Sequence, residues 1–276
     1  MKYRFTSRFA ALLLGLIVTF GASAEKIRVA CMGNSITYGA SIANRDCNSY
    51  PAQLAWLLGE GYDVKNFGRN SATLLFKGNL PYVETEEFSN ALAFNPDIVF
   101  LGLGTNDTKP QNMRHFADFS HDASVIIDSL RSLPSHPRVI LLTPMRCFLS
   151  ADNEISDSVN QHVIAPALRA VAAEKHVELI DLSGFPGPSL DESLMPDRLH
   201  PSSIGAGMFA RRLYDYLRPE GYDPNPATHP VPGNEYRSGA GWKEGADWHA
   251  VAREISDSLA ASPVDLLFIG NSITQG

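Results

Sequence analysis

Ser35 follows the apolar run Ile27–Met32 through Gly33-Asn34, and a serine set just beyond a strand-like segment is a candidate nucleophile. A serine hydroxyl is weakly nucleophilic near neutrality and needs a base beside it. Histidine suits that task, because its unperturbed pKa of about 6.5 lies near working pH. Asp197-Arg198-Leu199-His200 offers such a base together with a carboxylate to fix its tautomer. The three-residue gap lets a turn or a helical start hold both on one side. The chemistry these types can perform is acyl transfer, which also needs donors for an oxyanion. Candidates are the Ser35 N–H, a backbone N–H at Gly68, where a glycine permits close approach, and the side-chain amide of Asn106.

These residues need a scaffold that brings distant segments together. Strand-like apolar runs are expected at Ile27–Met32, Tyr62–Phe67, Asp97–Leu103, Arg138–Leu142 and Val177–Leu182. Helical spacing is expected at Tyr50–Leu58, which has Pro51 near its start, and at Phe116–Leu130, Ser156–Lys175 and Ile204–Leu217. Ser71–Ala93 shows no clear period and is expected to be a long loop with a short helix. Strands alternating with helices imply an α/β fold with a parallel sheet covered on both faces. Such sheets bind ligands beyond the carboxyl ends of their strands. Gly33-Asn34-Ser35, Asn66-Phe67-Gly68 and Gly104-Thr105-Asn106-Asp107 all fall there.

Each residue alone has a plainer role. Ser35 would cap the following helix, His200 would be a surface histidine, and Asn106 would close an Asx turn. Asp107 is expected to hold its loop. Gly102 and Gly104 lack the third glycine of a dinucleotide loop. His115, His121, His136, His162, His176, His229 and His249 are expected to be surface groups. Tyr38, Arg69 and Arg146 are expected to border the pocket, where Arg146 would clamp an acidic sugar or else be tied in a salt bridge.

Taken together, GNSIT after the first strand, a glycine after the second, GTND after the third and D-x-x-H near the end resemble the SGNH (GDSL) hydrolase family. The resemblance covers Lys26 to about Leu217. It implies a flavodoxin-like three-layer α/β/α fold with a five-stranded parallel sheet in the order 2-1-3-4-5. It implies Ser35 as nucleophile, His200 as base and Asp197 as its orienting carboxylate. The N–H groups of Ser35 and Gly68 and the Asn106 side chain would form the oxyanion hole, with no metal or organic cofactor. Asn34 departs from the aspartate that commonly precedes the serine, so a supporting hydrogen bond is expected to differ. The missing second glycine of a G-x-S-x-G elbow separates the stretch from α/β-hydrolases. The chain looks most like carbohydrate-directed members, including sialate O-acetylesterase-like ones, which makes O-acetyl groups on glycans the expected substrate. A lipid or thioester acylhydrolase, and a non-catalytic glycan-binding module, are the alternatives.

The ends of the chain carry separate signals. Lys2, Arg4 and Arg8, the apolar stretch Ala10–Phe20 and Ala22-Ser23-Ala24 read as a signal peptide over 1–24, cleaved after Ala24. The product would be secreted or periplasmic, with no stable membrane span left. Loss of three positive charges takes the net charge from −7 to −10. So acidic a chain is a poor partner for nucleic acid. Cys47 and Cys147 lie in loop-like stretches, either as a disulfide or as two thiols according to whether those loops meet. Cys31 reads as a buried small hydrophobe. No Cys/His spacing resembles a zinc site.

An SGNH hydrolase domain is expected over 25–218 and a Pro/Gly-rich linker over 219–247, with Pro224, Pro226, Pro230 and Pro232. GNSIT then returns at Gly270–Thr274 after the apolar run Val264–Ile269. Residues 248–276 therefore read as the truncated start of a second SGNH-like domain in a tandem protein, or as a tail packing on the first sheet's edge. Ser272, without its own D-x-x-H, is expected to be inert. Composition does not fix the oligomeric state.

Overall fold

A computed structural model describes residues 25–185 and 194–227. The expected signal peptide, most of the expected linker and the second GNSIT lie outside the described residues. Five strands form one parallel sheet: β1 Ile27–Gly33, β2 Tyr62–Gly68, β3 Ile98–Gly102, β4 Arg138–Leu142 and β5 Glu178–Ile180. Their order is β2-β1-β3-β4-β5, as expected. The register pairs Ile27 with Tyr62, Val29 with Ile98, Ile98 with Arg138 and Ile140 with Glu178.

The helices in chain order are α1 Ser35–Tyr38, α2 Arg45–Asn48, α3 Tyr50–Leu58, α4 Glu86–Phe94, α5 Pro110–Met113, α6 Phe119–Arg131, α7 Asp157–Val159, α8 Ala165–Lys175 and α9 Ser203–Leu217. Successive side chains of a strand point to opposite faces, and β1 divides accordingly. Ala30 and Met32 join Leu101, Ile126, Leu130 and Leu168 in a core beneath α4, α6 and α8. Val29 and Cys31 join Phe100, Leu54, Phe209 and Leu213 in a second core beneath α3 and α9. A central strand buried on both sides requires such a continuous apolar run. Each fully buried side chain of Leu size contributes about 1.5–3 kcal/mol.

The structure departs from expectation in one stretch, while Ser71–Ala93 is the expected long loop with a short helix, α4. The helical pattern of Ser156–Lys175 is broken by a π turn at Asn160–Ile164. Pro166 enters α8 in its first turn, and its missing N–H removes one bond of the regular ladder. Residues 71–85 hold little regular structure, yet Ala72, Leu74, Leu75 and Tyr82 are fully or almost fully buried. Side chains satisfy the backbone there in place of a ladder. Leu74 and Leu75 donate their N–H groups to Asp107 at 3.0 and 2.8 Å, and Phe76 donates to Asp122 at 2.8 Å. Buried backbone needs such partners to be tolerated.

Candidate active site

The ends of β1, β2 and β3 lie level, since Gly33 pairs with Gly68 on one side and with Gly102 on the other. A Cβ on Gly33 would stand 2.5 Å from the Gly102 carbonyl oxygen and 2.4 Å from Thr37 Oγ1. Only a glycine lets the chain leave β1 this tightly. Asn34 then caps α1 by accepting the Ile36 N–H at 2.9 Å. The plain role open to Ser35, helix capping, is thus taken by its neighbour, and the Ser35 hydroxyl is left for other work. Ser35 occupies the first turn of α1, where the helix has no preceding carbonyl to accept its N–H.

His200 Nε2 lies 2.8 Å from Ser35 Oγ, and His200 Nδ1 lies 2.6 Å from Asp197 Oδ2. Serine, imidazole and carboxylate therefore form one hydrogen-bonded chain. Asp197 and His200 sit in a turn ahead of α9, with Arg198 at φ 67°. The turn closes on itself because Asp197 Oδ1 accepts the N–H groups of Leu199 at 3.0 Å and His200 at 2.7 Å. Burial acts to raise the Asp197 pKa, but the bonds from the His200 ring and from the His200 and Leu199 N–H groups outweigh it. The carboxyl is held well below its usual range, so it is ionised wherever the imidazole must work.

Gly68 stands where the register requires, and its N–H has a local side-chain acceptor. It donates to Asn66 Oδ1 at 2.9 Å, while Asn66 Nδ2 donates to the carbonyls of Thr37 at 2.9 Å and Tyr38 at 3.3 Å. A Cβ on Gly68 would lie 2.1 Å from the Tyr38 nitrogen. The glycine is there so that β2 can abut α1. Beyond it, Arg69 donates its N–H to the Gly33 carbonyl at 2.8 Å, and Ser71 adopts φ 65°. Such backbone is sparse for residues other than glycine and collects at functional sites.

Asn106 is buried after β3, and its Nδ2 donates to the Ala72 carbonyl at 3.1 Å. A primary amide has two N–H groups, so one remains for a ligand. Asp107 is buried behind it and holds the Leu74–Leu75 backbone, as expected of a loop anchor. Burial pushes its carboxyl up to about 6 against the pull of those N–H groups.

The arginines expected at the rim are engaged by carboxylates. Arg69 reaches Glu87 at 3.4 Å and Arg146 reaches Asp157 at 3.6 Å. Tyr38 carries the Arg45 guanidinium over its ring at 4.2 Å. Cys31, Cys47 and Cys147 are free thiols, with Cys47 exposed on α2 and Cys147 buried. Sequence reasoning missed the Asn34 cap and the Asn66 bridge. The first is signalled by an Asn immediately before a short helix, and the second by an amide two residues before a required glycine.

Comparison with known proteins bears on this geometry. Residues 31–207 match the model of the GDSL-like Lipase/Acylhydrolase family. An acetylxylan esterase of Xylanibacter ruminicola is 38% identical over 203 residues, covering 67% of this chain and 42% of that protein. The chain thus spans about two-fifths of that relative's length. The structure of an aryl esterase of M. smegmatis superposes with a TM-score of 0.56 at 19% identity, covering 70% of this chain and 98% of the other. A carbohydrate acetylesterase family member from Sinorhizobium meliloti gives 0.55 at 19% identity, covering 70% and 97%. A lipase/acylhydrolase from Enterococcus faecalis gives 0.55 at 21% identity, covering 73% and 100%. At these identities the structural likeness is one of fold.

Proposed function

The chain belongs to the GDSL-like lipase/acylhydrolase family, and we propose that it is an exported serine esterase that removes O-acetyl groups from carbohydrates. The observation that carries this reading is the unbroken hydrogen-bonded series from Ser35 Oγ through His200 to Asp197, at 2.8 and 2.6 Å. Ser35 Oγ attacks the ester carbonyl carbon as its proton passes to His200 Nε2. The negative charge that develops on the carbonyl oxygen is met by the N–H groups of Ser35 and Gly68 and the second N–H of the Asn106 amide. Asp197 stays ionised and stabilises the imidazolium. Collapse breaks the bond to the alcohol, which takes the proton from His200. Water then attacks the acyl-enzyme by the same route in reverse, releasing carboxylate and restoring Ser35.

The preference for acetyl groups on a glycan rests on the acetylxylan esterase relative. Export rests on the sequence of residues 1–24, and a second related unit on the repeated GNSIT at 270–274. The test is hydrolysis of acetylated xylan and of aryl esters of increasing acyl length, with Ser35→Ala as control. Acetate should be strongly preferred, and Ser35→Ala should be inactive. Equal turnover of long acyl chains removes the acetyl assignment. Activity that survives in Ser35→Ala removes the catalytic one.

A further inference from the structure

The Asp197 carboxylate receives one donor from outside its own turn. Leu199 N–H and His200 N–H occupy Oδ1, and His200 Nδ1 occupies Oδ2. The fourth donor is the hydroxyl of Ser41, 3.1 Å from the same Oδ2 that holds the imidazole. Ser41 lies in the segment between α1, which carries Ser35, and α2. It adopts φ 65°, a conformation that serine rarely takes. We propose that Ser41 is a positioning residue for the ester hydrolysis, fixing the rotation of the Asp197 carboxylate and linking the nucleophile's segment to the acid–base turn. This inference rests on the triad assignment above.

The physical argument has two parts. Rotation about the Cβ–Cγ bond moves both carboxylate oxygens together with the imidazole that rides on Oδ2, and a donor fixed in a different segment opposes that motion. The cross-link also spans 156 positions in sequence, so it sets the distance between the Ser35 segment and the His200 turn. In addition, Ser41 shares the charge of Oδ2 with the imidazole, which tempers the carboxylate's hold on an imidazolium. His200 is the titratable group in contact with Asp197. Arg45 and Asp46 on α2, the helix that follows Ser41, are paired with each other at 2.8 Å.

The strained backbone provides a clean test. Ser41→Ala removes the hydroxyl and keeps the φ penalty, whereas Ser41→Gly removes the hydroxyl and relieves it. Ser41 is exposed, so neither change should disturb the core. Both variants should lose kcat on the order of tenfold with little change in KM, the scale of one lost bond to a charged group. In both, the acid limb of the kcat/KM profile should move to higher pH, because the carboxylate with one donor fewer holds an imidazolium more tightly. A purely structural role would not move that limb. If Ser41→Gly keeps wild-type kcat and profile while Ser41→Ala does not, the residue matters for its backbone alone and the inference is overturned. Wild-type behaviour in both variants overturns it equally. Ser35→Ala in the same assay separates the two levels: if it is active, the triad assignment fails; if it is dead while Ser41→Gly is normal, only the role of Ser41 fails.

Discussion

Tyr50 and Thr37 are joined by a hydrogen bond of 3.1 Å between buried hydroxyls, directly beneath the short helix that presents Ser35. α1 has four residues and little stability of its own, so its position depends on such ties. Tyr50 comes from the start of α3, and its ring packs on Phe209 of α9 at 4.3 Å between centroids. Replacing Tyr50 with Phe keeps the ring and strands the Thr37 hydroxyl. Urea unfolding should show a loss of about 1–3 kcal/mol, the cost of an unsatisfied buried polar group. An unchanged midpoint would mean that the tie is worth nothing.

Asp197→Asn should leave the fold intact and lower kcat by about 10⁴, because an amide cannot hold the imidazole in the tautomer that accepts a proton. An organophosphonate should label wild type at Ser35 and label this variant far more slowly. Mass spectrometry of the labelled peptide reads the outcome directly. Modification at a serine other than Ser35 would contradict the assignment.

Asn106 and Gly68 should fail in different ways. Asn106→Ala removes the proposed oxyanion donor and should reduce kcat by about 10²–10³ with KM nearly constant. Gly68→Ala drives a methyl group toward the Tyr38 nitrogen, 2.1 Å from where the Cβ would sit. Overpacking of that kind costs about 1–3 kcal/mol or more. Thermal unfolding and steady-state kinetics on the two variants should therefore give opposite patterns, with stability lost in one and turnover in the other.

Asp107 makes stability fall as pH rises. Its carboxyl titrates at about 6 in the folded protein against an ordinary 3.8, so the native state binds a proton that the unfolded chain has released. The contribution is fully present below pH 4 and is lost as pH rises through 6, a change on the order of 3 kcal/mol. Asp197 and Asp181, whose pKa values are depressed, act in the opposite sense at lower pH. Comparing wild type with Asp107→Asn isolates the effect. The variant pays a constant cost for lost acceptors, and the gap between the two should narrow from pH 4 to pH 7. A gap independent of pH would show that Asp107 titrates normally.

Much of the architecture was legible because it is local. The expected helix Tyr50–Leu58, with Pro51 near its start, is α3, and the structure ends it at a Gly59 cap. Several strands announced themselves as Val- and Ile-rich runs, and the short Asp–His spacing survives as one turn. What escaped depends on partners far along the chain. The 71–85 stretch has no period because Asp107, Asn112 and Asp122 hold its backbone, and no periodicity encodes that. Gly68 was recognised as a place of close approach, and the contact with α1 that also requires the glycine lay outside that reading. Ser41 gave no signal at all, since its role exists only once the Asp197 turn lies beside it.

The level glycines at the ends of β1 and β2 bear on how such an enzyme can be redesigned. Gly33 and Gly68 meet backbone atoms where side chains would begin, so the floor under Ser35 has no room for new groups. Laboratory evolution toward bulkier or differently shaped esters must therefore recruit changes from the rim, in the segments around Ser41, Ser71 and Arg146. Mutational libraries aimed at the strand termini would return mostly insoluble protein.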